Sequence, residues 1–389
     1  MKKLLSIFVV AALSATSSTA FAAGMAAPIQ GGTSVGLGTS NCAYGVFDPS
    51  IADTAALATA YMAYSCNNPS SSFPSSNPIV QSTRLASSSD NGATWTDLGV
   101  VVNAVTEGTT GLGNISWTNE VPSLVYDAAA SSGTKWKLFW FHYSIINGAR
   151  VFSNSWIAYK EADTPGDLVS ATEIKLFAGN GYSSANNTFQ GTTYSPVAGA
   201  PVLSGSSFMS SDCIAFTEPG AAASGSAVYA ALNCAYPVAT PAPHNGTRTV
   251  LLKCADTCTA SSAGSWAFAG VPVNNADANY FGSISLSGQD IYYEGTRAYI
   301  SVSPVGNTPV TGAYQGCLIF QFTNIDVGAI ARNSAGYPQP VNLVGGAAGS
   351  FNGACTRAQN VTAAGWGYGQ ISFSASLFPT FNFYLTGAQ

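Results

Sequence analysis

Residues 47–51, Phe47-Asp48-Pro49-Ser50-Ile51, and residues 119–124, Asn119-Glu120-Val121-Pro122-Ser123-Leu124, share an acid, then Pro-Ser and an aliphatic residue, with Val121 between acid and proline in the second. Each stands ahead of β-branched and aromatic runs broken by Gly, Ser, Asn and Pro, the pattern of short strands between tight turns. Three further stretches open similar groups of runs: Ser211-Asp212-Cys213-Ile214, Phe281-Gly282-Ser283-Ile284 and Gly369-Gln370-Ile371-Ser372. The intervals from Asp48 to Glu120, Glu120 to Asp212 and Asp212 to Gly282 are 72, 92 and 70 residues, a loose repeat of strand modules. Runs such as WKLFWFHYSI at 136–145, DIYYEG at 290–295 and CLIFQFT at 317–323 alternate as strands do. Helical signals are weak, and the chain reads as all-β.

Ser88-Ser89-Asp90-Asn91-Gly92-Ala93-Thr94-Trp95 matches S-x-D-x-G-x-T-W. This stretch resembles the Asp-box of sialidase-type β-propellers. Ser and Asp side chains would bond turn amides, Gly would take a positive φ, and Trp would pack beneath the turn. Ser88, Asp90, Gly92 and Trp95 are therefore expected to be structural. The resemblance implies a β-propeller, five-bladed by the five openings, or six-bladed if residues 182–203 add strands of their own. A strand near residues 29–45 would complete the last blade and leave no free sheet edge.

In a propeller the innermost strands surround one axis, so Asp48, Glu120 and Asp212 would converge on a central funnel. The arrangement is similar to the five-bladed glycosidases of the arabinanase, xylosidase, invertase and levansucrase type. By that resemblance Asp48 is base or nucleophile, and Glu120 and Asp212 take the places of the orienting acid and the general acid. In that family the second residue is usually Asp and the acid usually Glu. Glycoside hydrolysis needs one carboxyl that holds a proton and one that stays ionised. A sialidase site would need clustered arginines and a Tyr–Glu pair, for which Tyr293 and Glu294 are the candidates. Adjacent strand residues face opposite sides, which speaks against that pair on a regular strand. Trp117, His142, Tyr280, Phe281 and Arg357 are candidate substrate contacts, as are Trp366 and Tyr368. His142 is read either as a satisfied core histidine or as a group pointing into the central channel.

Composition narrows the function classes. Only 8% of the 389 residues are charged and the net charge is −5, so no basic footprint for nucleic acid exists. The two His and the absence of an HExxH or Cys/His cluster point to no metal, and no cofactor motif is present. Residues 1–22 read as a cleaved secretory signal: Lys2 and Lys3, an apolar run from Leu4 to Leu13, and Ala20-Phe21-Ala22. The expected product is one domain, residues 23–389, secreted or periplasmic, monomeric and free of the membrane. The eight Cys then read as disulfides. Spacing suggests Cys42–Cys66 and Cys213–Cys234 within hairpins, Cys254–Cys258 around a small loop, and Cys317 with Cys355. The reading is a glycan-active propeller whose partner is a carbohydrate. The leading form is a glycoside hydrolase. A non-catalytic carbohydrate-binding or adhesion propeller, a sialidase, and a purely structural protein with a plugged axis are the alternatives.

Overall fold

The computed structural model describes residues 33–35, 37, 42–52, 58–69, 79–90, 92–109, 113–146, 149–179, 188–189, 192–193, 213, 215–235, 247–255, 258–306, 314–344, 351–357, 367–373 and 379–385. Residues 1–22, expected to be a secretory signal, lie outside them. Five antiparallel sheets of four or five strands form the blades of a β-propeller. The innermost strands are Val46–Ile51 in blade I, Gly113–Tyr126 in blade II, Ala215–Ala223 in blade III, Ser285–Glu294 in blade IV and Phe351–Thr356 in blade V. Each packs on the next, and blade V returns to blade I, so the ring is closed. The strand Thr33–Ser34 completes blade V by pairing with Pro379–Leu385, Thr33 opposite Leu385. Within residues 182–203 the described structure is a two-stranded hairpin, Thr188–Phe189 with Thr192–Thr193, and not a sixth blade.

One of the expected openings is displaced. Gly369 to Ser372 lies on the second strand of blade V, Gly367–Phe373, and the inner strand is Phe351–Thr356. The Phe281 stretch leads directly into the inner strand of blade IV, which begins at Ser285. Gly-rich runs on neighbouring strands look alike in sequence, and only the pairing order separates them.

Both faces of every blade are covered, so strands carry apolar residues in both registers. WKLFWFHYSI shows this directly. Leu138 and Trp140 pack with Leu85, Leu124 and Trp156 between blades I and II. Phe139, Phe141 and Tyr143 pack with Leu232, Leu252 and Trp266 between blades II and III. Further clusters fill the III–IV, IV–V and V–I interfaces, centred on Ile300 and Phe320, on Tyr292 and Ile319, and on Met62 and Phe383. The hydrophobic core is thus a ring of inter-blade layers.

The four disulfides join the pairs that the spacing suggests. Cys42–Cys66 and Cys213–Cys234 fasten the lead-in to an inner strand onto the second strand of the same blade. Cys317–Cys355 ties blade IV to blade V. At the turn of residues 88–95, Gly92 N donates to Ser88 Oγ at 2.8 Å, Thr94 N to Asp90 Oδ1 at 2.8 Å, and Trp95 Nε1 to Gly92 O at 3.1 Å. Gly92 has φ 86°. The Thr94 hydroxyl, the Thr94 N–H and the Ser88 hydroxyl, all donating to Asp90, hold its carboxyl down at about 2.

Every inner strand carries the same irregularity. Ladder register slips after Phe47, Glu120, Thr217, Ser287 and Gly353. The next residue in each case is left-handed: Asp48 at φ 48°, Val121 at 50°, Glu218 at 50°, Gly288 at 56° and Ala354 at 52°. This is a bulge with its first residue in the αL region. In blades I to III a proline follows, where no ladder N–H is required. Two positions further on, the strand turns a polar group toward its neighbour. Ser50 Oγ accepts from Leu124 N at 3.1 Å, Ser123 Oγ from Ala221 N at 2.7 Å, and Thr356 Oγ1 from Ile51 N at 3.0 Å. Thr356 Oγ1 also donates to Asp290 Oδ2 at 2.6 Å. Blade III has Gly220 at this place, where a Cβ would collide with the Gln289 carbonyl.

Asp290 belongs to this ring and is fully buried among neutral groups. Burial raises its carboxyl to about 8, against the opposing bonds from Thr356 and Ile291 N–H. A raised folded-state value favours the protonated form in the fold. Its contribution is complete below about pH 4, where the unfolded carboxyl is also protonated, and is lost as pH rises to about 8. Urea unfolding across that window will show wild-type stability falling with pH more steeply than in Asp290→Asn. Equal slopes would refute a protonated Asp290.

Candidate functional site

The bulges place three carboxylates together near the axis. Asp48 is buried, and Ser65 Oγ donates to its Oδ2 at 2.9 Å. The same Ser65 Oγ accepts from Val121 N at 3.0 Å, so one hydroxyl links the Asp48 carboxyl to the bulge of blade II. Burial raises the Asp48 carboxyl well above its ordinary value. The charges of Glu120 and Glu218 add to the rise, and the bonds from Ser65 and Val121 oppose it. Glu120, next to the Val121 bulge, is half-buried. Burial raises its carboxyl too, and Glu218 adds to that; the Arg150 charge and the Tyr143 hydroxyl act against it.

Glu218 completes the trio from blade III. Its Oε1 accepts from Tyr314 Oη at 2.8 Å, and its Oε2 from Gly288 N at 2.8 Å and from the Ser287 hydroxyl. Gln289 Nε2 donates to its backbone carbonyl. Glu218 is therefore clasped by the bulge of the next blade. Half-buried like Glu120, it remains accessible from the funnel.

Tyr314 spans the axis. Its ring stacks on Phe47 of blade I at 6.4 Å while its hydroxyl reaches Glu218 of blade III. It also lies against Gly353 of blade V, where an added Cβ would come within 2.5 Å of the ring. Gly353 is thus small because a tyrosine occupies its side-chain space. Burial, then the charges of Glu218 and Asp48, raise the Tyr314 phenol well above its usual range. On blade II, Arg150 lies 5.7 Å over the Tyr143 ring. It is solvent-exposed yet crowded by Tyr143, Glu120, Tyr314 and Glu218, as suits a side chain on the wall of a concavity. Tyr143 and the carboxylates hold its guanidinium charged.

Of the residues singled out in the sequence, Asp48 and Glu120 come together here. Asp212 lies outside the described residues, and Glu218, six residues later, supplies the third carboxylate. Its signal was present: Glu218-Pro219-Gly220 repeats the acid, Pro, small-residue order of Asp48-Pro49-Ser50. Tyr314, Arg150 and Ser65 have no comparable sequence signal. Trp117 stacks on His142 at 5.1 Å, and Trp156 tilts against the same imidazole at 4.2 Å and against Trp117 at 5.4 Å. His142 Nδ1 bonds Asn119 Oδ1 at 2.6 Å, and burial with the Lys175 charge lowers the imidazole to about 3. His142 is thus a neutral, packed group of blade II. On the connection between blades III and IV, Tyr280 stacks on Tyr337 at 4.1 Å and Phe281 tilts against Phe320 at 6.0 Å.

Arg357 pairs with Glu294 at 2.8 Å at the far ends of the inner strands of blades V and IV. Tyr293 packs toward blade III and Glu294 toward blade V, so the two do not meet. Arg84 pairs with Asp97, and Arg332 with Asp277. Tyr368 lies on the second strand of blade V, with its side chain outside the described set, as is Trp366. Among the described residues no group of three or more His, Cys, Asp or Glu is placed to hold a metal ion, and no helix is long and apolar enough to cross a membrane.

No protein-family model matches the chain, and no curated protein sequence matches it. Solved structures do. A family 117 glycoside hydrolase produced by the marine bacterium Zobellia galactanivorans is similar over 92% of this chain and 90% of that chain, with a TM-score of 0.51 and 11% identity. An alpha-L-arabinofuranosidase from Podospora anserina matches over 91% and 94% of the two chains at a TM-score of 0.47 and 10% identity. A Bacillus subtilis arabinanase matches over 87% and 93% at 0.44 and 12%. At such identities the likeness is one of fold.

Ser65→Ala tests the link between blade I and blade II. It removes a donor from Asp48 and leaves the buried Val121 N–H without its acceptor. The expected cost is about 1–3 kcal/mol in urea unfolding, together with a further rise of the Asp48 carboxyl in a carbon-13 NMR titration.

Proposed function

We propose that the protein hydrolyses glycosidic bonds in its central funnel, with Asp48 and Glu218 as the reacting carboxyl pair and Glu120 as the neighbour that sets their proton balance. One observation carries this reading: three carboxyls on successive inner strands interact at one place, and burial beside two like charges opposes ionisation of Asp48. Like charges in a shared site cannot all ionise, so the three carboxyls hold one proton among them, as acid–base cleavage of an acetal requires. Glu218 in blade III restores the Glu that the resembled glycosidases usually have as general acid, and leaves Asp48 as base or nucleophile. The glycoside hydrolase from Zobellia supports the reading through its fold. The exported setting rests on residues 1–22 read as a leader and on four disulfides. The turn at 88–95 is taken as an Asp-box in a structural role. A sialidase reading is disfavoured, because Arg84, Arg332 and Arg357 are each committed to a separate acid.

A second reading has its own observation. Tyr314 lies across the axis with its hydroxyl on Glu218, as suits a glycan-binding propeller with a closed floor.

The test is hydrolysis of aryl arabinofuranosides, xylosides and fructosides by the purified exported chain. Asp48→Asn and Glu218→Gln are expected to lower kcat/KM by roughly 10²–10⁴-fold, and Asp212→Asn to leave it nearly unchanged. As a base, Asp48 must lose its proton, so the rate will rise with pH on a limb above the ordinary carboxylate range. Glu120→Gln will move that limb down, since one like charge beside Asp48 is gone. Glycan retention by a folded protein without hydrolysis would favour the binding reading.

A further inference from the structure

A second cavity, of about 340 Å³, opens at the far ends of blades I and II. Tyr126 ends the inner strand of blade II, six residues beyond Glu120, which puts the cavity roughly 20 Å from the carboxylates along the strand. Trp136 forms its buried floor. Tyr61 meets that indole edge-on at 5.0 Å, and Tyr126 tilts against it at 5.0 Å. Thr59, Lys135, Asp163 and Thr164 supply the rim.

Thr164 Oγ1 is taken up within the protein, donating to Asp167 Oδ2 at 2.7 Å, but other polar groups of this cavity are not. Among the described residues, the Tyr61 and Tyr126 hydroxyls and the Lys135 ammonium have no hydrogen-bond or ion-pair partner. Asp163 is oriented by Gly133 N, which donates to its Oδ1 at 3.1 Å, and its Oδ2 stays open. The neighbouring cavity of about 300 Å³ between blades II and III differs. There Lys137 pairs with Asp127 at 3.2 Å, and Glu161 accepts from Tyr159 Oη at 2.7 Å. Those side chains already have partners within the fold.

We propose that the Tyr61–Tyr126–Trp136 cavity is a second carbohydrate-binding site, separate from the funnel, that takes one or two sugar rings of a glycan chain. Aromatic walls accept the C–H face of a sugar. The free hydroxyls, the ammonium and the carboxylate around them fit a ring of sugar hydroxyls, which both donate and accept. A purely apolar ligand would leave those groups dehydrated and unpaired. The volume is at the small end for ligand sites, which limits the occupant to a short segment of chain.

The test is affinity electrophoresis of the exported chain in native gels cast with soluble arabinan, arabinoxylan, levan or polygalacturonan. The Asp48→Asn variant runs beside wild type, so that binding in the funnel and binding here are separated. At least one polymer is expected to retard wild type and Asp48→Asn alike. Tyr61→Ala and Tyr126→Ala are expected to weaken that retardation by roughly tenfold or more at unchanged Tm. Tyr61→Phe and Tyr126→Phe, which keep the packing, are expected to weaken it less but measurably. Retardation by none of the polymers, or retardation unchanged in Tyr61→Ala and Tyr126→Ala, would overturn the proposal. Loss in Asp48→Asn alone would assign binding to the funnel and overturn it equally. A chain that binds through this site but hydrolyses nothing would sustain it while the catalytic reading fails.

Discussion

The bulge in each inner strand is the constraint on which the rest of the molecule depends. A non-glycine residue held at positive φ costs on the order of 1–3 kcal/mol, and four such residues stand around this axis. The bulge puts two residues where the partner strand has one, so the strand changes which groups it offers to its neighbours. Ser50, Ser123 and Thr356 can then reach backbone amides of adjacent blades. The polar ring that stitches the blades together and the carboxylates at the funnel floor follow from one backbone feature.

The functional reading and the stability of the fold therefore share groups. Ser65 is both a donor to Asp48 and the acceptor for the Val121 bulge. Glu218 is held by the bulge of blade IV and also belongs to the acidic trio. The like charges raise the cost of ionising the site, and Arg150 offsets part of that cost at Glu120. In a chain with so few charges, concentrating three acids at the centre of the ring is an arrangement that packing alone does not call for.

Much of the architecture was legible from local pattern. The run at 136–145 announced a strand buried on both faces, and Leu138 with Phe139 now mark the two layers it joins. The cysteine spacing anticipated all four bridges, because three of them close within a hairpin or a short loop, where separation in sequence limits the choice of partner. The Ser88–Trp95 turn was legible because its bonds are local. The acid and Pro-Ser pattern that singled out Asp48 and Glu120 is also local.

Sequence by itself determined the strand content, the cross-linking and the presence of acids at strand openings, since periodicity, spacing and turn chemistry act over a few residues. Tertiary structure alone decided which acids meet. The bulge, like the shared proline after it, aligns Asp48 with Val121 and Glu218, so Glu120 stands one residue out of step, and a one-residue shift in a strand exchanges its faces. It also decided that Tyr314, distant from all three acids in sequence, fills the axis against Gly353, and that Arg357 and Glu294 pair at the opposite end. Those outcomes depend on how five sheets close around an axis, and closure is a property of the whole ring.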